Sequence, residues 1–493
     1  MLNLLIFLPL VVATLIAFIP RRLTLIRVIA LTGSFAVLAL SIVISVPIFH
    51  NGSGYAQSFS WIPAIGAEYS LRLDGISMPL ILLTTFLTSI ALLYSFYADK
   101  LDLRESVKEY AVLFLLMETG LLGVFLASDL LLFYIFWEVA LVPLYFIVGI
   151  WGHKNRRRAA FKFFLYTRAG SLALLLSILA LYTRTQPHSF SMDAIRQAGQ
   201  SAGISSFAIW VTVGFVIGFG VKLPIVPLHS WLPDAHVEAP TAGSVMLAGV
   251  MLKMGGYGLL RIMLPTVGAV MAKYWYLLAA IALIGVIYGA AVALAQQDFK
   301  RLVAFTSINH MGFVLLGVTL ASLSISAQNR DAAIDGAMLQ MISHGLLTGG
   351  MFLLVGMMQA RAGTRDLNLL GGAWNRLPIY AVFLTAFAFG SFGLPSMSGF
   401  VAEFQVFVAT LSVSGRAAFV LVFGVIISTG LYLYTLQRVA FGKPADAITG
   451  ATDLNRVETW SLVPMLALTF LIGLIPGLLV QSIQQAIPQV LAK

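Results

Sequence analysis

Long apolar runs separated by short polar loops recur from one end of the chain to the other, and the length of these runs defines the elements. A helix needs about 20 residues to cross a hydrocarbon core of about 30 Å. Fourteen runs of that order occur, at 2–19, 26–48, 73–98, 110–127, 130–151, 160–183, 206–229, 240–262, 274–296, 301–322, 336–359, 378–410, 417–440 and 460–483. In lipid every backbone donor and acceptor must be satisfied within the protein, and continuous apolar runs, unlike alternating ones, do this as α-helices. The expected fold class is an all-α polytopic membrane protein. The first run lacks a basic flank and a small-residue cleavage site, and reads as a retained helix.

Two runs carry proline breaks, at Lys222-Leu223-Pro224-Ile225-Val226-Pro227 in the seventh and Gly393-Leu394-Pro395-Ser396-Met397-Ser398-Gly399 in the twelfth. Breaks at membrane depth are tolerated where the freed groups meet protein or a water-filled cavity, and paired breaks are a mark of inverted-repeat transporters. The two breaks lie five spans apart. If 110–262 and 263–440 are two five-helix units, the odd count sends the second across the membrane in the opposite sense. Three helices in 1–109 then precede the units and a last helix in 441–493 follows them. Two unrelated kinks are the simpler alternative.

Composition agrees with the spans, since 59% of the 493 residues are hydrophobic and only 10% charged, against about 25% charged in soluble chains. The absence of cysteine excludes thiolate-bound iron-sulfur clusters, cysteine-type zinc and disulfides within this chain. A formal charge of +10 suggests nucleic acid only if the basic residues share one face. Instead they fill every second loop but one, the loop after the seventh run holding Asp234, His236 and Glu238 and no Lys or Arg: Arg21, Arg22 and Arg27; Lys100, Arg104 and Lys108; Lys154, Arg156, Arg157, Arg158 and Lys162; Lys300 and Arg301; Arg361, Arg365 and Arg376; Arg438, Lys443 and Arg456. The positive-inside rule puts these loops in the cytoplasm and both termini on the outer side. The expected surroundings are lipid, with no nucleic-acid partner.

Against this apolar background, ionisable residues inside the spans are costly and point to function. Glu138 lies well inside the fifth run, Lys222 beside the first break and Lys253 near the middle of the eighth run. His310 and His344 lie inside the tenth and eleventh runs, and Glu403 follows the second break. Burial moves lysine and carboxylate pKa values toward neutrality, and histidine passes protons between its two nitrogens, so such a set suits a proton relay. A single buried Glu or Lys reads equally well as a structural ion pair, and each histidine alone as a satisfied core residue. Glu118 and Arg168 are weaker candidates. A di-haem site needs two histidines on facing helices; His310 and His344 meet that loosely, but a second pair is missing because His50, His153, His188, His229 and His236 fall in or next to loops.

The stretches 136–145, 221–236, 239–258, 307–313 and 398–404 together resemble the antiporter-like subunits of proton-pumping NADH-quinone oxidoreductase, respiratory complex I, over nearly the whole chain. Val237-Glu238-Ala239-Pro240-Thr241-Ala242-Gly243-Ser244 is similar to the M type rather than the L or N types. The resemblance implies two inverted half-channels at 110–262 and 263–440. It also implies a coupled pair Glu138 and Lys222, a connecting Lys253, an exit group Glu403, and relay positions His310 and His344. A glutamate at the exit, where the sister subunits usually carry lysine, again favours the M type. Arg168 departs from the family, where a small or uncharged polar residue is expected; pairing with Glu138 or Glu118, or a position at the cytoplasmic end, are the alternatives. The resemblance further implies no cofactor in this chain, with NAD or ferredoxin, FMN, iron-sulfur clusters and quinone on partner subunits. L-type and N-type subunits are expected as neighbours, in a bacterial plasma membrane rather than a thylakoid. A subunit of a multisubunit sodium/proton antiporter, a haem-binding electron carrier and a structural scaffold are the alternatives.

Overall fold

The computed structural model describes residues 1–98 and 106–491, so Lys100 and Arg104 of the second basic loop lie outside the described residues. In chain order the elements are α1 (Leu2–Phe18), α2 (Leu23–Asn51), β1 (Tyr55–Ile62), β2 (Ala67–Leu73), α3 (Ser77–Tyr97), α4 (Val107–Leu126), α5 (Leu130–Trp151), α6 (Arg156–Tyr182) and α7 (Met192–Ser201). There follow α8 (Ser206–Lys222), α9 (Trp231–Glu238), α10 (Thr241–Lys273), α11 (Trp275–Leu294), α12 (Phe299–Ala321) and α13 (Ala327–Ala362). The chain closes with α14 (Pro378–Ser391), α15 (Ser398–Val413), α16 (Gly415–Val439), α17 (Arg456–Leu474) and α18 (Gly477–Leu491).

A helix lies on each of the fourteen expected runs, and eleven helices among the described residues are long and apolar enough to cross a membrane. The chain is a multi-pass membrane protein. Its ends differ from expectation in three places. The run expected from residue 73 is preceded by an antiparallel hairpin, β1 on β2 with Tyr55 opposite Leu73. The last run stops at Leu474, and α18 starts afresh beyond Pro476, whose ring cannot continue a helix. The short α7 was not expected; Gly199 packs it against Thr266 of α10.

Polar side chains fix where the helices begin. Asp129 accepts hydrogen bonds from the amides of Leu131 and Leu132 at the start of α5, and its other oxygen accepts the Glu68 amide, which ties the hairpin to that helix. Asn455 and Glu458 cap α17 reciprocally. Buried ion pairs join distant segments: Arg261 of α10 to Asp74 ahead of α3 at 2.7 Å, and Arg361 of α13 to Glu458 of α17 at 2.6 Å.

The helices α10, α12 and α13 are enclosed by protein, whereas α2, α6, α11, α16 and α17 form a rim whose outward side chains are mainly apolar, as a lipid-facing surface requires. The two breaks sit between rim and centre. In the first, α8 ends at Lys222 and the chain turns through residues 223–230 before α9. In the second, α14 and α15 are separated by residues 392–397, where Gly393 has φ +81° and Ser396 φ +82°. Gly393 suits that left-handed backbone because it has no Cβ, and its open side faces Glu403.

Candidate functional site

The ionisable residues expected inside the spans fall into two groups. The first is built on α5, α6 and α8. Glu138 projects from α5 toward α6 and forms an ion pair with Arg168, whose guanidinium also lies over the Phe164 ring. Of the alternatives for Arg168, pairing with Glu138 is the one found. The break after α8 leaves Lys222 at the helix end, 2% exposed, with its ammonium 5.6 Å from the Trp137 ring centre and 5.8 Å from that of Phe163. Lys222 Nζ has no hydrogen-bond partner among the described residues, and Glu138 is near enough to act on it electrostatically. Aromatic faces on two sides and a carboxylate nearby attract an ammonium there in place of hydrogen bonds.

The second group runs through the enclosed helices. Lys253 of α10 is fully buried; its ammonium donates to the carbonyl of Ala248 and lies 2.7 Å from Nδ1 of His344 on α13. The rings of His344 and His310 meet edge to face with centres 5.5 Å apart. His310 Nδ1 faces two groups, the Gln340 amide nitrogen at 2.9 Å and the Glu403 carboxylate at 3.5 Å, while its Nε2 is 3.5 Å from the Tyr432 hydroxyl. Glu403 closes the run beside a cavity of about 270 Å³ lined by Phe313, Gly393, Phe400 and Val425 among others. Lys253 with His344, and His310 with Glu403, are thus two polar contacts joined by the edge-to-face meeting of the histidine rings, in a line from α10 to the second break, and His344 Nε2 has no hydrogen-bond partner among the described residues.

An apolar contact joins the first break to α10. Leu223, fully buried, packs on Gly255 and Gly256 of α10, where any Cβ would press on it or on Met341. No hydrogen bond among the described residues joins Lys222 to Lys253.

Residues that sequence reasoning left out complete the picture. His236, read as lying beside a loop, is fully buried on α9, stacked on Phe352 at 4.5 Å, and neither ring nitrogen has a hydrogen-bond partner among the described residues. It is near enough to Lys253 and Lys300 to feel both charges. The cue available was its place just after the first break, on the second half of an interrupted helix. Gln340 and Tyr432 have no signal beyond polarity within apolar runs. Glu118 is fully buried on α4 with neither carboxylate oxygen hydrogen-bonded among the described residues, and it is not joined to Arg168.

Comparison with known proteins places this arrangement. The sequence family described as NADH:quinone oxidoreductase/Mrp antiporter, TM, matches residues 127–428. NADH-quinone oxidoreductase subunit M of Rickettsia conorii is 38% identical over 441 residues, covering 89% of this chain and 86% of the relative. The F(420)H(2) dehydrogenase subunit M of Methanosarcina mazei is 36% identical over 487 residues, covering 96% and 94%. Among solved structures, a chain of respiratory complex I from Thermus thermophilus with bound NADH superposes with a TM-score of 0.87 at 28% identity, each chain covered in full. A chain of the Mrp complex from Dietzia sp. shares the fold, with a TM-score of 0.86 at 21% identity and 100% and 97% coverage.

Proposed function

The chain belongs to the NADH:quinone oxidoreductase/Mrp antiporter transmembrane family, and from that premise we propose that it is the M-type, proton-translocating subunit of a redox-driven quinone oxidoreductase. Protons would pass along Glu138, Lys222, Lys253, His344, His310 and Glu403. The observation that carries this reading is the line-up of Lys253, His344, His310 and Glu403 through the enclosed part of the bundle, polar at both ends and joined in the middle by the edge-to-face histidine rings. Each member is an ionisable side chain inside the spans and each faces the next, which a purely structural ion pair does not require.

The segments 110–262 and 263–440 act as two half-channels crossing in opposite senses, each opened at its proline break. Lys253 links them. Leu223 keeps the two polar groups apart until water enters beside it, and an apolar constriction that wets and dries is a gate. A change in the charge of Glu138 alters what Lys222 experiences, and Lys222 in turn sets the electrostatics at Leu223 and Lys253; coupling from the redox reaction arrives as such a change.

The chain carries no redox centre of its own in this reading. Electron donor, FMN, iron-sulfur clusters and quinone belong to partner subunits, with L-type and N-type antiporter-like chains as neighbours in a bacterial plasma membrane and both termini outside. Relatives named for NADH and for F(420)H(2) leave the donor to those partners. Direct edge contact of His310 with His344 favours a relay over a bis-histidine haem site, which needs the two rings on opposite faces of an interposed macrocycle.

The test is quinone-dependent proton pumping in inverted vesicles carrying Glu138→Gln, with assembly of the complex followed in parallel. An assembled complex with pumping lowered at least about tenfold supports the relay. Pumping near the unmutated level would sink it.

A further inference from the structure

The outward face of α6 presents Phe161, Leu165, Leu172 and Leu176, each half exposed or more, as a lipid-facing stripe would. Within that stripe stands Arg168, its side chain 49% exposed. It lies twelve residues into α6, about 18 Å from the start of the helix, and Glu138 lies thirteen residues before the end of α5, about 20 Å away from it. The pair therefore sits near the middle of the bilayer, too deep for the guanidinium to reach either interface. A charged, hydrogen-bonding group facing acyl chains at that depth is among the costliest placements a membrane offers.

Glu138 relieves only part of this. It accepts from Nη1, and neither Nη2 nor Nε of Arg168 has an acceptor among the described residues. With Lys222 protonated, Arg168, Lys222 and Glu138 together leave one positive charge uncompensated. Lipid tails provide neither an acceptor nor an anion at mid-depth, whereas a protein neighbour can provide both.

We propose that the face of α5 and α6 around Arg168 is covered by a second membrane subunit that sets a carboxylate against the guanidinium, so that Arg168 bridges Glu138 to the neighbouring chain. The proposal rests on the reading of the chain as a subunit of a larger membrane complex. Arg168 is then a positioning residue: it touches the relay carboxylate on one side and the neighbour on the other, and a change in protonation of the neighbour's carboxylate reaches Glu138 through one side chain. The bridge gives this chain a route for charge coupling between subunits that an uncharged residue at position 168 does not supply.

Photo-cross-linking in the whole complex tests the surface with Arg168 in place. A benzoylphenylalanine at Leu172, one turn from Arg168, is expected to form an adduct with another membrane subunit, mapped to a segment carrying Asp or Glu within about one helical turn. Adducts with lipid alone, no adduct, or an adduct with a segment lacking an acidic residue each overturn the proposal. The result does not depend on proton transport, so it stands apart from the Glu138→Gln experiment. A second readout is the pH profile of coupled pumping: Arg168→Gln is expected to move it by about one unit or more, with Arg168→Lys restoring it. A profile that Arg168→Gln leaves in place overturns the bridge.

Discussion

Lys253 Nζ lies 2.7 Å from Nδ1 of His344, and the two are held in the enclosed centre of the bundle with no carboxylate joined to either by a hydrogen bond among the described residues. A lysine ammonium has only donors, so whenever Lys253 is charged His344 Nδ1 accepts in this contact and the ring proton is on Nε2. The pair holds one transferable proton between two nitrogens. His344→Gln retains an acceptor for the ammonium but removes the second nitrogen. The expected result is an assembled complex whose pumping falls about tenfold or more, measured by quenching of a pH-sensitive dye in inverted vesicles; full pumping would show that the proton bypasses this ring.

Leu223 gives a prediction of opposite sign. Shortening it opens space against Gly255 and Gly256 between two polar groups, where water can enter. Leu223→Ser is expected to speed the decay of an imposed pH gradient several-fold in vesicles without turnover, at a stability cost of about 2–5 kcal/mol for the emptied core site. An unchanged leak would move the barrier elsewhere.

The Arg361 guanidinium donates to both Glu458 oxygens, at 2.8 and 2.6 Å, joining α13 to α17 away from the relay. Removing one partner of a buried pair leaves the other charge unpaired, which costs about 3–5 kcal/mol. Glu458→Ala should therefore lower the thermal midpoint of the detergent-solubilised complex, whereas per-complex pumping in the fraction that assembles should stay near normal. A large loss of turnover in well-assembled complex would assign the pair a role in transport.

His153, in the loop between α5 and α6, is pushed down to about 4 by burial first, and then by the charges of Lys300 and Arg365. A histidine whose folded value lies below its unfolded value of about 6.5 stays neutral in the fold while the unfolded chain takes up a proton. Stability is then lost as pH falls from about 6.5 toward 4. His153→Asn should show a smaller drop in thermal midpoint between pH 7.5 and pH 5 than the unmodified protein, and equal drops would refute the assignment.

The spans were legible because a continuous apolar run of helix-spanning length has few other uses, and Glu138, Lys222, Lys253, His310, His344 and Glu403 stood out as charges within them. Their line-up was not legible, because it depends on which helix faces which. The pairing of His344 with Lys253 joins residues 91 positions apart. The hairpin went unseen although Ala67, Tyr69, Leu71 and Leu73 alternate with Glu68, Ser70 and Arg72, since windows long enough to find a span average such alternation away. His236 was hidden for a related reason: a proline-rich neighbourhood reads as a surface loop, and the burial comes from α6 and α12 packing on α9, with Phe352 of α13 stacked on the ring.

The 36-residue α13 supplies Gln340 to His310, His344 to Lys253, Phe352 to His236 and Arg361 to Glu458. At about 1.5 Å per residue it is a rod of about 54 Å with His344 at its middle, and a tilt of about 2° about that point carries each end, Arg361 included, through about 1 Å while His344 stays nearly in place. Hydrogen bonds weaken steeply over displacements of that size. A rocking motion of this kind would strain the Arg361–Glu458 pair at one end and spare His344 and Gln340, so the contacts made along the polar line sit where the rod moves least.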